Sequence, residues 1–223
     1  MTDLSHPATQ RVVDAASRRG IELDVRYLAS APLSVEDLAV ALDVDRGQIV
    51  RSQVFVATRS AGRLAPIACL VSGRNTVDLA ALSAVTGEVA IRPANAVETY
   101  GLTGYSTGGT PPFGYGRDVR VFMDQDLCGY PWVWAAAGTA TAVFRISPRT
   151  LRMLSNAFVV PLAVGPWIAP SRPTGVEPAF RPETSRGPLP ASARPTGQYP
   201  SSGEPLPPSW QRALLRDLDI ELV

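Results

Sequence analysis

Prolines decide where this chain can fold. Between Pro166 and Pro208 stand 12 of its 21 prolines, mixed with Ser, Gly and Arg and with few large apolar side chains. Proline fixes φ and has no N–H to donate, and a segment this poor in apolar surface cannot offset the entropy lost on ordering. The globular part is therefore expected to span residues 1–165, with 166–208 a disordered linker. Beyond it, "SWQRALLRDLDIELV" regains a helical period, with Trp210, Leu214 and Leu218 each four residues apart. A helix that short is marginal alone. Residues 209–223 are thus either a frayed end or a short amphipathic motif for a protein partner, Trp210–Val223.

The remaining length suits one domain, and a hydrophobic fraction of 45% with 18% charged residues fits a globular class. A net charge of +1 gives no nucleic-acid footprint by itself. All 21 basic residues are arginine; lysine is absent. The first twenty residues lack an apolar core of the secretory type, and "AFVVPLAVGPW" is short and interrupted by proline, so no membrane span is expected. Cys69 and Cys128 belong to no C-x-x-C pair and read as two buried free thiols of a cytoplasmic protein. His6, the sole histidine, falls on an end expected to fray. A histidine triad or a His/Cys zinc site is not expected, and no cofactor is called for.

Residues 7–18 place Val12, Val13 and Ala16 on one helical face. Ser34 with Asp37 resembles a capping box opening a second helix, "VEDLAVAL". Short β-rich runs follow at 53–58, 64–71 and 88–93. Between the last two, "DLAALSAVTG" reads as a helix ending at Gly87, and "NAVETYG" as another capped by Asn95. Strands at 119–124, 133–138 and 141–147 precede a helix with Pro148 at its first position. Short helices among near-continuous apolar strands indicate a single α/β (α+β) domain with a mixed or barrel-like sheet.

One loop stands out, "TGYSTGGTPPFGYG" at 103–116. One use of such a loop is a backbone surface that holds a ligand: Gly108 and Gly109 allow bare backbone to approach it closely, and Pro111 and Pro112 stiffen that backbone so that its N–H donors stay aimed. A plain turn is the other use of such residues.

In order and spacing, "IVRSQVFVA" (49–57), "LVSGRNTVDLAAL" (70–82) and "TGYSTGGTPPFG" (103–114), with "VFMD" and "WAAAG" after them, resemble the YbaK/prolyl-tRNA-synthetase-associated family of aminoacyl-tRNA editing domains. The resemblance covers roughly residues 7–160, and its most specific part is the G-x-x-x-P pattern from Gly108 to Pro112. It implies hydrolysis of the ester joining a mischarged amino acid to the terminal ribose of tRNA, at a site with few side-chain catalysts. The glycine loop would enclose the aminoacyl group, backbone N–H groups would position the carbonyl, and a ribose hydroxyl would help activate water. The resemblance makes Gly108, Gly109 and Arg51 the catalytic set. It places Ser52, Thr110, Pro112, Phe113, Tyr105, Asp124 and Gly138 around the substrate.

Two departures matter. The family carries lysine where this chain has Arg51, and serine is frequent where it has Pro111. Arginine can still hold a phosphate, in a fork rather than as a point charge. Several candidates have a structural alternative. Asp78 reads first as a helix cap, Asp124 equally as a turn residue, Tyr105 and Phe113 as core, Gly138 as a strand end, and Arg74 and Arg117 as solvated surface. Two functions follow. One is a trans-acting deacylase of mischarged tRNA, contacting the acceptor end with help from a synthetase or the elongation machinery. The other is a catalytically weakened binding module for an aminoacyl-adenosine-type ligand or a protein partner.

Overall fold

The structure, a computed structural model, describes residues 6–58 and 64–164. The expected boundary at Gly165, the Pro-rich stretch and Trp210–Val223 lie outside the described residues. Helix starts follow from local chemistry. In α1 (Pro7–Ser17) proline occupies the first turn, and His6 caps it, its Nδ1 accepting the Ala8 N–H at 3.2 Å. The expected frayed histidine is instead a cap, because its ring reaches a donor the helix cannot satisfy itself. Ser34 caps α2 (Val35–Leu42), its Oγ accepting the Asp37 N–H at 3.0 Å. The reciprocal arm of a capping box is not formed, as the motif wants the longer Glu or Gln where Asp37 stands. Asp78 caps α3 (Leu79–Thr86) through the Ala80 and Ala81 N–H groups, and Gly87 ends that helix at φ +71°. A complete box, Asn95 with Glu98, opens α4 (Ala96–Thr103). Ser147 caps α5 (Pro148–Ser155).

Two sheets form, and the described residues close no barrel. The three-stranded sheet contains β1 (Val25–Tyr27), β6 (Val133–Ala136) and β7 (Ala142–Ile146) in the antiparallel order β1-β7-β6. The five-stranded sheet runs β4 (Ile91–Pro93), β2 (Val50–Thr58), β3 (Leu64–Ser72), β5 (Arg120–Asp124), β8 (Phe158–Val160). β3 is antiparallel to β2 and parallel to β5, which makes the sheet mixed. A parallel bridge from Ile49 to Trp134 joins the head of β2 to the smaller sheet. The run expected as a strand at 88–93 pairs only over Ile91–Pro93, opposite Phe55–Ala57. β1 and β8, three residues each, are too short to declare themselves by periodicity.

β3 explains why its sequence shows no alternation. Ala68 and Leu70 enter a core with Val12 of α1, Leu151 of α5 and Phe144, whereas Ile67, Cys69 and Val71 enter a second core with Leu82 of α3. A strand covered on both faces reads as a continuous apolar run. A third cluster packs Ala39 and Leu42 of α2 onto Ile49, Trp134 and Val143.

The expectation of two buried thiols holds for one. Cys69 is buried, while Cys128 is exposed. Cys128 sits in the 3₁₀ turn Gln125–Gly129, where Leu127 takes the inward position. Burial, reinforced by the charge of Asp124, pushes the Cys69 thiol up to about 12, so almost no thiolate exists at neutral pH. A thiol-disulfide reagent at pH 8 should therefore titrate one cysteine in the native protein and two after unfolding. Cys128→Ser should abolish the native reaction.

Candidate active site

A cleft of about 340 Å³ opens where the head of β2, the glycine loop, the smaller sheet and the lead-in to α2 converge. Arg51, Ser52 and Gln53 come from β2, and Thr107, Gly108 and Thr110 from the loop. Trp134, Ala136 and Val143 supply an apolar floor, and Leu33, Val35 and Leu38 an apolar wall. The antiparallel register of β2 with β3, with Arg51 opposite Val71 and Ser52 opposite Leu70, fixes the first group.

The loop is held by its own surroundings. Tyr105, buried, donates its hydroxyl to the Gly114 carbonyl at 2.9 Å, and Tyr115 donates to the Pro111 carbonyl at 2.7 Å. Its two glycines are required for different reasons. Gly108 has φ +87° with open space where a Cβ would stand, so its need is conformational. A Cβ on Gly109 would lie 2.7 Å from Thr139 Cα and 2.8 Å from its carbonyl carbon. Gly109 is where the loop's backbone rests on the β6–β7 turn. Its N–H donates to the Ser106 carbonyl at 3.0 Å. The N–H groups of Gly108 and Thr110, both residues of the cleft, have no acceptor among the described residues.

A second unpaired group lies beside them. Ser52 Oγ is buried and finds no hydrogen-bond partner among the described residues. Leaving such a group unsatisfied costs about 1–3 kcal/mol. Arg51, by contrast, is anchored: its guanidinium donates to the Asn75 carbonyl at 3.1 Å. Asn75 in turn donates its side-chain amide to Asp124 at 2.7 Å and to Asp126 at 2.8 Å. Asp124 is buried and also accepts the Leu162 N–H at 3.1 Å. Burial raises the Asp124 carboxyl above its ordinary value, with the Asn75 and Leu162 donors pulling the other way.

Of the residues singled out in the sequence, the cleft gathers Arg51, Ser52, Gly108 and Thr110. The others stand behind it. Gly109 supports the loop, and Phe113 packs on Phe144 with ring centroids 5.7 Å apart. Pro112 is buried, and Tyr105 carries the Arg11 guanidinium over its ring at 4.8 Å. Gly138, at φ +94°, lies against the start of α1, where a Cβ would be 2.6 Å from the Ala8 carbonyl oxygen. Arg74 pairs with Asp45, and Arg117 is exposed. Asn75, Gln53 and the α2 lead-in escaped the sequence reading. Their roles depend on contacts such as Asn75 to Asp124, 49 positions apart, for which "SGRNTVD" carries no local signal.

An α/β domain with a cleft that gathers an arginine, a buried unpaired hydroxyl and two residues with unengaged N–H groups has the donors that a small anionic or carbonyl-bearing ligand end requires. Comparison with known proteins narrows this. A family model described as the aminoacyl-tRNA editing domain matches residues 31–154. A crystal structure described as a trans-editing enzyme for prolyl-tRNA synthetase is 38% identical with a TM-score of 0.66, covering 72% of this chain and 99% of that one. An Enterococcus faecalis protein named as a Cys-tRNA(Pro)/Cys-tRNA(Cys) deacylase, EbsC, is 23% identical over 124 residues, 56% of this chain and 73% of the relative. A proline–tRNA ligase of Limosilactobacillus fermentum is 28% identical over 96 residues, 43% of this chain but 17% of the ligase. The chain belongs to the aminoacyl-tRNA editing domain family.

The Asn75 tether makes a sharp prediction. Asn75→Ala should cost about 1–3 kcal/mol of stability at pH 7, because it strips a donor from a buried carboxylate. The lost bond favours the ionised form of Asp124, so the deficit should shrink as pH falls and Asp124 protonates. Urea unfolding of both proteins from pH 7 down through the protonation of Asp124 checks it. A deficit that stays constant throughout would place the cost elsewhere.

Proposed function

We propose that the protein is a trans-acting aminoacyl-tRNA deacylase that hydrolyses the ester of mischarged tRNA. The observation that carries this reading is that Gly108 and Thr110, two residues with unengaged N–H groups, line one cleft with Arg51 and Ser52, in a chain of the editing family. In this reading the ester carbonyl sits against those N–H groups, which receive the negative charge that develops on its oxygen. A preorganised donor of this kind is worth on the order of 10²–10³ in rate. Water adds to the carbonyl carbon, giving up its proton with help from a ribose hydroxyl. The acyl–oxygen bond then breaks, and the proton goes to the leaving ribose oxygen. The products are free amino acid and uncharged tRNA.

Arg51 binds a phosphate of the 3′ end. One of its N–H groups is spent on the Asn75 carbonyl, which leaves others for a ligand and fixes their direction. Ser52 gives and accepts one hydrogen bond within the cleft, and the apolar Trp134, Ala136, Val143 and Leu38 surround the amino-acid side chain. The catalytic unit is residues 1–165, acting in the cytoplasm, with Trp210–Val223 beyond the Pro-rich stretch available to a synthetase or another protein. Among the described residues no helix is long and apolar enough to cross a membrane.

A panel of purified mischarged tRNAs, followed for ester loss, tests the proposal. At least one should be cleaved well above the spontaneous rate. On that substrate Arg51→Ala should lower kcat/KM about 10- to 100-fold, the loss of a charge-assisted contact. Arg51→Lys should hold or raise activity, and Ser52→Ala should lower activity without lowering the melting temperature. If only Arg51→Lys is active, the wild-type chain is the weakened binding module instead. If no variant cleaves any substrate, the deacylase reading fails.

A further inference from the structure

Beside the cleft, one face of the three-stranded sheet alternates indoles with guanidinium groups. In the β6–β7 register Trp134 stands opposite Arg145, and in the β1–β7 register Arg26 stands opposite Val143. Trp134 and Val143 line the cleft, so Arg26 stands beside it. The Arg26 guanidinium lies 5.0 Å from the Trp134 ring centroid, and that of Arg145 lies 5.2 Å from Trp132. Trp132 is 44% exposed, and its carbonyl is fixed by the Gln48 side-chain amide at 3.0 Å.

The charge of this face is uncompensated. Arg46, Arg74, Arg92 and Arg120 each hold a carboxylate. Arg26 and Arg145 are exposed and form no ion pair or hydrogen bond with any described residue. A cation kept over an indole rather than paired with an acid keeps its attraction for a phosphate. An exposed indole and a guanidinium plane also both stack on nucleobases whatever their sequence. A base-paired helix hides its base faces, so only an unpaired strand can use such a surface. The net charge of +1 likewise leaves no broad basic field for a duplex.

We propose that the Trp132–Arg145 and Arg26–Trp134 pairs form the track along which the unpaired 3′-terminal nucleotides of the RNA substrate lead to the cleft. Trp132 and Arg145 stack a base upstream of the reacting ribose, and Arg26 holds a phosphate beside the cleft. This rests on the deacylase reading for the identity of the RNA, while the surface itself can be tested without catalysis.

Fluorescence anisotropy with a labelled, unpaired four-nucleotide RNA, against a twelve-base-pair RNA duplex, reads the surface directly. The wild type should prefer the single strand. Trp132→Ala should weaken binding about tenfold, the scale of one stacked base, and Trp132→Phe should retain most of it. Arg145→Gln should weaken binding and flatten its salt dependence by about one phosphate contact. In deacylation these variants should raise KM for mischarged tRNA at unchanged kcat, and cleave an aminoacyl-adenosine ester, which lacks upstream nucleotides, at the wild-type rate. Wild-type affinity and KM in the folded Trp132→Ala and Arg145→Gln proteins would overturn the track, as would a preference for duplex or for an acidic peptide. A wild type that binds the strand as described yet cleaves no tRNA would keep the track and overturn the deacylase.

Discussion

The cleft depends on one contact between two stretches of backbone. Gly109 rests on the β6–β7 turn so closely that a single added carbon would fall inside van der Waals distance of Thr139. Through that contact the loop is seated on the smaller sheet, and the Ile49–Trp134 bridge ties the same sheet to the head of β2. Loop and strand are therefore registered to a common piece of structure. Gly108 and Thr110, whose N–H groups have no acceptor among the described residues, thereby line one cleft with Arg51 and Ser52. Tyr105 and Tyr115, bonded to carbonyls within the loop, resist its relaxation from the other side.

In the proposed deacylase the chemistry lies in the main chain. Backbone donors do not titrate in the working pH range and lose no rotamer freedom on binding, so their orientation is set at folding rather than on encounter. What ionic character the site has is concentrated in Arg51, and that side chain is aimed indirectly. Asn75 holds it through a carbonyl and is itself held by Asp124, a buried carboxylate at the end of β5 that also accepts the Leu162 N–H. Keeping a charge there is unfavourable unless donors surround it. The pairing of Asp124 with Asn75 thus couples a cost in the core to the geometry of the cleft.

The sequence made the helices and the longer strands legible because their caps and apolar runs are local features. Ser34, Asp78 and Asn95 cap the helices expected of them, and Ser147 caps the one expected to open at Pro148. Of the three-residue strands, β4 falls within the expected run at 88–93, but β1 and β8 were not legible, since they owe their existence to partners far along the chain. The glycine-proline loop announced a stiff, bare backbone, yet the division of labour between its glycines is visible only in three dimensions. Gly108 answers to φ and Gly109 to a neighbour 30 positions on. Asn75 was overlooked for the same reason. A polar residue in a turn carries no mark of the carboxylate it will meet.

The central claim is that the seating of the loop, rather than any one side chain, makes the site. Gly109→Ala tests it most directly, since the methyl group must lift the loop off the β6–β7 turn while every cleft side chain remains. The decisive measurement is the single-turnover rate of ester hydrolysis at a temperature where thermal unfolding shows the variant fully folded. The account predicts a rate lower on the order of 10²–10³-fold, the loss of aligned main-chain donors. A folded Gly109→Ala protein that hydrolyses the ester at the wild-type rate would contradict it.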